Sequence, residues 1–273
     1  MKISRFAVCG TRKARAGHIK MKTLLVLIST VMIVALAVLT EANAFFTHND
    51  EVPDNKEIIV LLHGLGRSNT SMWLLASRLE DAGYYVQGVE YSSLHQKPDE
   101  ILKNVSSQIN QCCQKHTQSV HFVGHSLGGL MVRAYLQNNK VDKLGRVVLL
   151  GTPNKGTEAV DHFSNSWLLD ILGPTAKALG TDDKSFPKSL KAPYYPVGII
   201  AGEIKSKFND PVIPGKDDGL VSVEATKIDG MTDFIIIETG HSMMRYNSEV
   251  ADQTIEFIKN GVFKEKQKER TEF

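Results

Sequence analysis

A serine flanked by glycines lies near the middle of the chain, in the G-x-S-x-G sequence Gly124-His125-Ser126-Leu127-Gly128. A β-branched apolar run, typical of a buried strand, precedes it, and the residues from Leu130 onward have helical spacing. A serine on such a strand–turn–helix elbow has a strained backbone and an exposed hydroxyl. The helix start adds backbone N–H donors where an oxyanion would form. The pattern predicts that Ser126 is a nucleophile rather than part of a chemically silent turn.

Two loops further along the chain carry the other groups that an activated serine needs. A serine hydroxyl is a poor nucleophile until a base takes its proton, and that base needs an acid to orient it. In an open α/β sheet such groups lie on loops at the carboxyl ends of strands. One apolar run is followed by Asp217-Asp218, and the next is followed by His241. The sequence therefore predicts that a serine, an acid and a histidine meet at one edge of a sheet.

Six short apolar runs alternate with amphipathic segments between residues 57 and 262. The runs predict strands at residues 58–62, 84–89, 146–150, 197–201 and 234–237, and one that begins at residue 120. Helices are expected between them, and the last helix should present one apolar face made of Ala251, Ile255, Ile258 and Val262. This alternation predicts a mostly parallel sheet with helices on both faces. Residues 45–56 then form a linker and residues 263–273 a charged tail.

Five motifs carry a resemblance to a known family. They are His63-Gly64-Leu65-Gly66, Gly124-His125-Ser126-Leu127-Gly128-Gly129, Gly151-Thr152-Pro153, Asp217-Asp218-Gly219-Leu220-Val221-Ser222 and Gly240-His241. On these motifs, residues 57–262 resemble the α/β-hydrolases, and among them the small bacterial lipases and lipase-like serine esterases. The resemblance implies an α/β-hydrolase fold of about six strands with a small cap insertion. It also implies hydrolysis of carboxylic esters without a cofactor.

The resemblance implies a role for each matching residue. Ser126 would be the nucleophile, His241 the general base and then the general acid, and Asp218 the orienting acid. The backbone N–H groups of Leu65 and Leu127 would form the oxyanion hole. Together these groups would attack an ester carbonyl, stabilise the tetrahedral oxyanion and let water release the acyl group.

The same resemblance decides between the two aspartates and bears on metal binding. In this family the second acid of such a string is the catalytic one, which favours Asp218 over Asp217. Calcium-binding members have an acidic residue after the catalytic histidine, whereas Ser242 follows His241 here. We therefore expect no calcium site and no other metal site.

Other histidines and two cysteines have plainer interpretations. His63 is expected to shape the oxyanion loop rather than to act as a base, because no acid is paired with it. His125 is expected to pack or to hydrogen-bond beside the nucleophile. Cys112 and Cys113 should be unpaired packing residues, because a ring between neighbouring cysteines is strained. Four further histidines are expected to be surface or core residues: His95, His116, His121 and His162.

The alternation of strands and helices lapses between Gly156 and Pro196, where we expect a cap insertion at about residues 157–195. Within it, residues 167–172 should form a short helix that Gly173-Pro174 ends. The resemblance places a cap over the active site at this point of the fold. The residues expected to line an acyl pocket are Phe163, Trp167, Leu168 and Leu172. The alternative is that this helix merely packs on the core.

The first 44 residues differ from the rest of the chain. A basic start, an apolar run at residues 24–39 and the small-x-small pattern Ala42-Asn43-Ala44 predict a signal peptide and export to the periplasm or the medium. The alternative is an uncleaved membrane anchor formed by residues 24–39. The whole chain carries a net charge of +2, but residues 45–273 hold 25 basic and 29 acidic residues, a net charge of −4. Because the basic excess belongs to the leader, nucleic acid is not an expected partner.

These observations favour an exported serine esterase or lipase that acts on esters with apolar acyl chains. Its expected partners are an ester or lipid substrate and, as a further candidate, a lipid interface or membrane. An acyltransferase, a thioesterase or an amidase would use the same residues. A non-catalytic binding protein on the same fold is a third alternative, since fold alone does not fix function. The intact set of serine, acid and histidine disfavours that alternative.

Overall fold

The computed structural model describes residues 52–53, 55–113, 115–164, 166–205 and 212–264, apart from the side chain of Leu168. The predicted signal peptide or anchor within residues 1–44 lies outside the described residues, as do most of the linker and most of the charged tail. Among the residues that are described, no helix is both long and apolar enough to cross a membrane.

The described strands form one six-stranded sheet in which every neighbouring pair is parallel, in the order β2-β1-β3-β4-β5-β6. The strands are β1 (Ile58–Leu62), β2 (Tyr85–Val89), β3 (Val120–His125), β4 (Leu144–Leu150), β5 (Val197–Glu203) and β6 (Asp233–Glu238). The predicted α/β architecture is confirmed. Strand β1 lies between β2 and β3, so the winding reverses there, and the loops after β1 and β3 meet at the switch point where ligands bind in such sheets.

Helices connect the strands and cover both faces of the sheet. The α-helices are α1 (Trp73–Asp81), α2 (Pro98–Cys113), α3 (Leu127–Asn138), α4 (Glu158–His162), α5 (Trp167–Lys177), α6 (Val223–Thr226) and α7 (Ser248–Asn260). Short 3₁₀ helices lie at Asn69–Met72, Pro187–Ser189 and His241–Tyr246.

The continuous apolar run of β1 follows from burial on two faces. Ile58, Val60 and Leu62 point into one core, which α2 and α3 cover. Ile59 and Leu61 point into the other, which α1 and α7 cover. Strand β1 is therefore covered on both faces, and its carboxyl end lies at the loops of the candidate site.

The last helix is shorter than the sequence predicts. Gly261 adopts a left-handed conformation (φ 80°) and ends α7 at Asn260. Val262 consequently lies outside the helix and is 53% exposed, so its predicted place on the buried face is wrong. Phe263 is buried instead and packs against Phe257.

Cys112 and Cys113, at the end of α2, are joined by a disulfide, so the expectation that they are unpaired is wrong. Their Cα atoms are 3.7 Å apart, the usual separation of neighbours across a trans peptide, so the bridge closes without pulling the backbone together. The packing part of the prediction is confirmed. Cys113 is buried, and Cys112 packs against the same core.

The cap insertion contains α4, α5 and one 3₁₀ helix, and no strand among its described residues. Gly173 breaks α5 as predicted, with φ 85° and ψ −174°. In α5, Leu169 is buried, whereas Trp167 and Ile171 are 72% and 53% exposed. Five of the six residues from 167 to 172 are apolar, so periodicity could not decide which side faces the protein.

Candidate active site

Ser126 occupies the sharp turn between β3 and α3. Its backbone has φ 55° and ψ −121°, which is the strained elbow that the sequence predicts. Glycines on both sides of Ser126 allow neighbouring backbone segments to pack closely against this turn. A Cβ at Gly124 would lie 2.5 Å from the backbone of Gly129, and one at Gly128 would lie 2.4 Å from the carbonyl oxygen of Leu62. Ser126 is only 6% exposed, so the expectation of an exposed hydroxyl is wrong, and a substrate must enter a recess to reach it.

Two hydrogen bonds link Ser126 to the other two predicted residues. The Ser126 hydroxyl lies 2.9 Å from His241 Nε2, and His241 Nδ1 lies 2.7 Å from Asp218 Oδ2. A carboxylate can only accept, so Nδ1 carries the proton and Nε2 accepts from the serine hydroxyl. The imidazole is thus oriented to take the serine proton.

The structure brings Asp218, and not Asp217, to the histidine. Asp218 is buried, and its Oδ1 accepts hydrogen bonds from the N–H groups of Leu220 at 3.0 Å and Val221 at 2.8 Å. Its Oδ2 is thereby left for His241. Asp217 instead accepts a hydrogen bond from the N–H of Gly219 at 2.7 Å. Because of the geometry of the turn, the two adjacent carboxylates have different hydrogen-bond partners.

The two predicted oxyanion donors lie on segments that border Ser126. Leu127 begins α3, so its N–H has no acceptor within the helix. Within the described residues, neither this N–H nor that of Leu65 donates a hydrogen bond. The segment that contains Leu65 passes close to the nucleophile, since a Cβ at Gly64 would lie 3.3 Å from the Ser126 Cβ. Both amides are therefore free to receive a developing negative charge.

His63 is fully buried at the end of β1 and has a local structural partner. Its Nδ1 donates to the carbonyl oxygen of Gly64 at 2.9 Å. Burial lowers the pKa of His63 to about 4, which outweighs the opposing effect of its backbone hydrogen bonds. Glu90 Oε1 lies 3.9 Å from its Nε2, beyond hydrogen-bond distance. That carboxylate is half exposed, so water screens its attraction, and His63 stays neutral.

His125 contacts the catalytic histidine candidate directly. Its ring is buried 4.9 Å from the ring of His241, and its Nε2 donates to the His241 carbonyl oxygen at 2.9 Å. Burial first, and the charge of His241 second, hold the pKa of His125 well below its usual range. His125 is thus a neutral donor that helps to hold the turn carrying His241. The sequence predicted that His125 would pack or hydrogen-bond beside the nucleophile, without identifying the partner.

The remaining histidines have the predicted surface or core positions. His95 and His162 are exposed, whereas His116 and His121 are buried and bond to the backbone of Lys56 and Arg146. In the part of the chain that the structure describes, no three His, Cys, Asp or Glu side chains are grouped as metal ligands would be.

An apolar cavity of about 360 Å³ lies between the cap and the loop that carries Asp218. Phe163 and Leu172 of the cap line it, as predicted, together with Leu169 and with Leu220 from the loop. Trp167 does not line it. The predicted contribution of Leu168 falls on a side chain that the structure does not describe. Leu169 and Leu220 were missed because sequence periodicity does not show which residues of a cap helix and a turn face each other.

Comparisons with known proteins agree with this fold. The family model described as palmitoyl protein thioesterase matches residues 58–195, which is half of the chain. No curated protein matches the chain. Among solved structures, the mature lipase BlEst2 from Bacillus licheniformis is 22% identical, with a TM-score of 0.55 over 71% of this chain and 88% of that chain. Phospholipase PlaB from Legionella pneumophila is 17% identical, with a TM-score of 0.54 over 73% of this chain and 57% of that chain.

At such identities the two structures show a shared fold. The family match extends from β1 to the end of the cap and includes the elbow serine. The family match and the shared fold together identify an α/β-hydrolase. The chain belongs to the palmitoyl protein thioesterase family.

Proposed function

We propose that this chain is an exported serine hydrolase that cleaves carboxylic esters with apolar acyl chains through an acyl-enzyme on Ser126. The observation that carries the proposal is the pair of hydrogen bonds from Ser126 to His241 and from His241 to Asp218. A serine, a histidine and an acid linked in this order support nucleophilic catalysis on several unrelated folds.

In the proposed reaction, Ser126 Oγ attacks the ester carbonyl while His241 Nε2 takes its proton. Asp218 Oδ2 accepts a hydrogen bond from His241 Nδ1–H and so stabilises the imidazolium. The N–H groups of Leu65 and Leu127 stabilise the tetrahedral oxyanion. The imidazolium then protonates the leaving alcohol as the carbon–oxygen bond breaks. Water, deprotonated by the same histidine, attacks the acyl-enzyme and releases the acid and the free serine.

The apolar cavity supports an apolar acyl chain as the substrate. Its volume of about 360 Å³ lies in the range of small-molecule sites, and apolar side chains such as Leu172 and Leu220 form its walls. Each methylene group moved from water into such a cavity contributes about 0.8 kcal/mol. Gly219 and Leu220, which follow Asp218 in the same turn, line the cavity, and we propose that an acyl chain inside it places its carbonyl at Ser126.

A thioester is the second candidate substrate, because the matching family model is that of palmitoyl protein thioesterases. The same attack on a carbonyl would release a thiol in place of an alcohol. Acyl transfer and amide cleavage are further alternatives that would use the same three residues.

The deciding experiment combines an active-site label with a substrate panel. A fluorophosphonate should label the wild-type protein and the Ser248→Ala control, whose serine is exposed at the start of α7. It should not label Ser126→Ala, which should also lose about 10⁶ in kcat. Matched oxygen esters and thioesters of increasing acyl length then identify the preferred bond. Labelling or hydrolysis that survives in Ser126→Ala would refute the proposal.

The export part of the proposal needs its own measurement. The predicted leader at residues 1–44 supports export, and so does the Cys112–Cys113 disulfide, because disulfides persist in oxidising compartments. Sequencing the N-terminus of protein recovered outside the cytoplasm should give a chain that starts at Phe45. An intact leader in a membrane fraction would favour the anchor at residues 24–39 instead.

A further inference from the structure

Two residues of the loop after β2 hold the backbone segment that contains Leu65. The Tyr91 hydroxyl donates a hydrogen bond to the carbonyl oxygen of His63. The Ser93 hydroxyl oxygen accepts a hydrogen bond from the N–H of Gly66 at 2.8 Å. We call these two hydrogen bonds the oxyanion-loop clamp. Together they fix the four-residue segment 63–66 at both of its ends.

The clamp is buried and well packed. Tyr91 and Ser93 are each 2% exposed. The Tyr91 ring stacks on the imidazole of His63, with centroids 4.0 Å apart and planes inclined by 14°. Burial raises the pKa of the Tyr91 hydroxyl well above its usual range, so the hydroxyl remains a hydrogen-bond donor at neutral and mildly alkaline pH.

The loop that carries the clamp is itself attached to α2 and to the 3₁₀ helix after β1. Gln108 of α2 accepts from the N–H of Glu90 at 3.1 Å and donates to the carbonyl oxygen of Glu90 at 2.6 Å. The Glu90 carboxylate accepts from the N–H of Asn69 at 2.7 Å. Through the loop after β2, the clamp therefore links the segment 63–66 to α2 and to the 3₁₀ helix Asn69–Met72.

The clamp occupies the outer polar groups of the segment and leaves the Leu65 N–H between them without an acceptor among the described residues. We propose that Tyr91 and Ser93 are positioning residues that hold the Leu65 N–H toward the oxyanion. The inference rests on the proposed function, in which Leu65 is one of two oxyanion donors. Both residues act through the backbone of the segment and not by touching the substrate.

The test removes one hydroxyl at a time and compares two buried tyrosines. Tyr91→Phe keeps the stacked ring and loses only the clamp hydrogen bond. Tyr135→Phe is the matched control, because that hydroxyl donates to Asn110 Oδ1 at 2.9 Å from an equally buried ring on α3. Ser93→Ala removes the other half of the clamp. Each variant is assayed for kcat and KM on the best ester of the panel and for the affinity of a trifluoromethyl ketone, which forms a tetrahedral adduct.

Removing a complete oxyanion donor costs about 10²–10³ in kcat, so displacing one should cost about 10-fold. We expect this loss in Tyr91→Phe and Ser93→Ala, with a KM within about twofold of wild type and weaker trifluoromethyl ketone binding. Tyr135→Phe should lose thermal stability to a similar extent but keep its kcat. Equal kcat values in Tyr91→Phe and Tyr135→Phe would overturn the inference and leave the proposed function standing. A wild-type protein that neither hydrolyses esters nor reacts with a fluorophosphonate would overturn both.

Discussion

Acidification should destabilise the folded protein through His63, and the effect can be worked out from its burial. The imidazole is fully buried, and burial lowers its pKa from the usual 6.5 to about 4. Above about pH 6.5 neither the folded nor the unfolded chain protonates it, so the full stability is present. Between about pH 6.5 and about pH 4 only the unfolded chain binds the proton, so stability falls as the pH falls. Below about pH 4 both states bind it and the loss levels off.

The size of this effect follows from the difference between the two pKa values. At about 1.4 kcal/mol per pH unit, lowering the pKa from 6.5 to about 4 corresponds to about 3 kcal/mol of unfolding free energy. The groups that face the imidazole are the Tyr91 ring, which is neutral, and Glu90, whose carboxylate lies 3.9 Å away. Glu90 is half exposed, so it recovers little of the cost of a buried imidazolium.

The assay is urea-induced unfolding of the wild type and of His63→Phe over a pH series from about 7.5 to about 4. Phenylalanine keeps the stack on Tyr91 and cannot titrate. The wild type should lose about 3 kcal/mol more than the variant across this range. Other buried histidines, such as His125, contribute to both curves and cancel in the difference. Parallel curves for the wild type and His63→Phe would refute the reasoning.

Three further predictions test the site. Asp218→Asn should lower kcat by about 10⁴, because the tautomer of the catalytic histidine is no longer fixed, whereas Asp217→Asn should retain most activity; reversed kinetics would exchange their roles. Leu172→Ala should reduce hydrolysis of long acyl esters relative to acetate esters by about 10-fold or more, whereas Trp167→Ala should not change this ratio, so equal ratios would remove the cavity from acyl binding. Gly128→Ala should abolish soluble folded protein in an expression and thermal-melt assay, because its Cβ would lie 2.4 Å from a carbonyl oxygen of β1, and a wild-type melt would contradict that packing.

Much of the fold and the loops that carry the three reactive residues could be predicted from the sequence, because topology fixes both. The choice of Asp218 over Asp217 came from the family resemblance. A continuous apolar run such as Ile58–Leu62 requires burial on both faces, and alternation with helices then requires a parallel sheet. Parallel strands end at one edge, so Ser126, Asp218 and His241 had to gather there once their loops were identified. Their order along the chain could be recognised without knowing how the side chains pack.

Other features of the structure could not be predicted, because the spacing of apolar residues does not determine them. Gly261 ends the last helix one residue before Val262, although the spacing continues the apolar face. In α5, apolar residues surround most of the helix, so the side that faces the protein is set by tertiary contacts. The pairing of Cys112 with Cys113 depended on local geometry that a general argument about strain did not capture.

The residues that support the candidate site follow from the strand order more than from any motif. Because β1 pairs with β2 on one side and β3 on the other, the loop after β1 must lie beside the loops after both of those strands. The loop after β3 contains Ser126, the proposed nucleophile, and the loop after β2 contains Tyr91 and Ser93, which form hydrogen bonds with the segment 63–66. Tyr91 and Ser93 belong to no recognisable motif, yet both lie within the first four residues after β2. The neighbours of the strand that precedes an oxyanion segment are therefore where such residues can be sought before a structure is known.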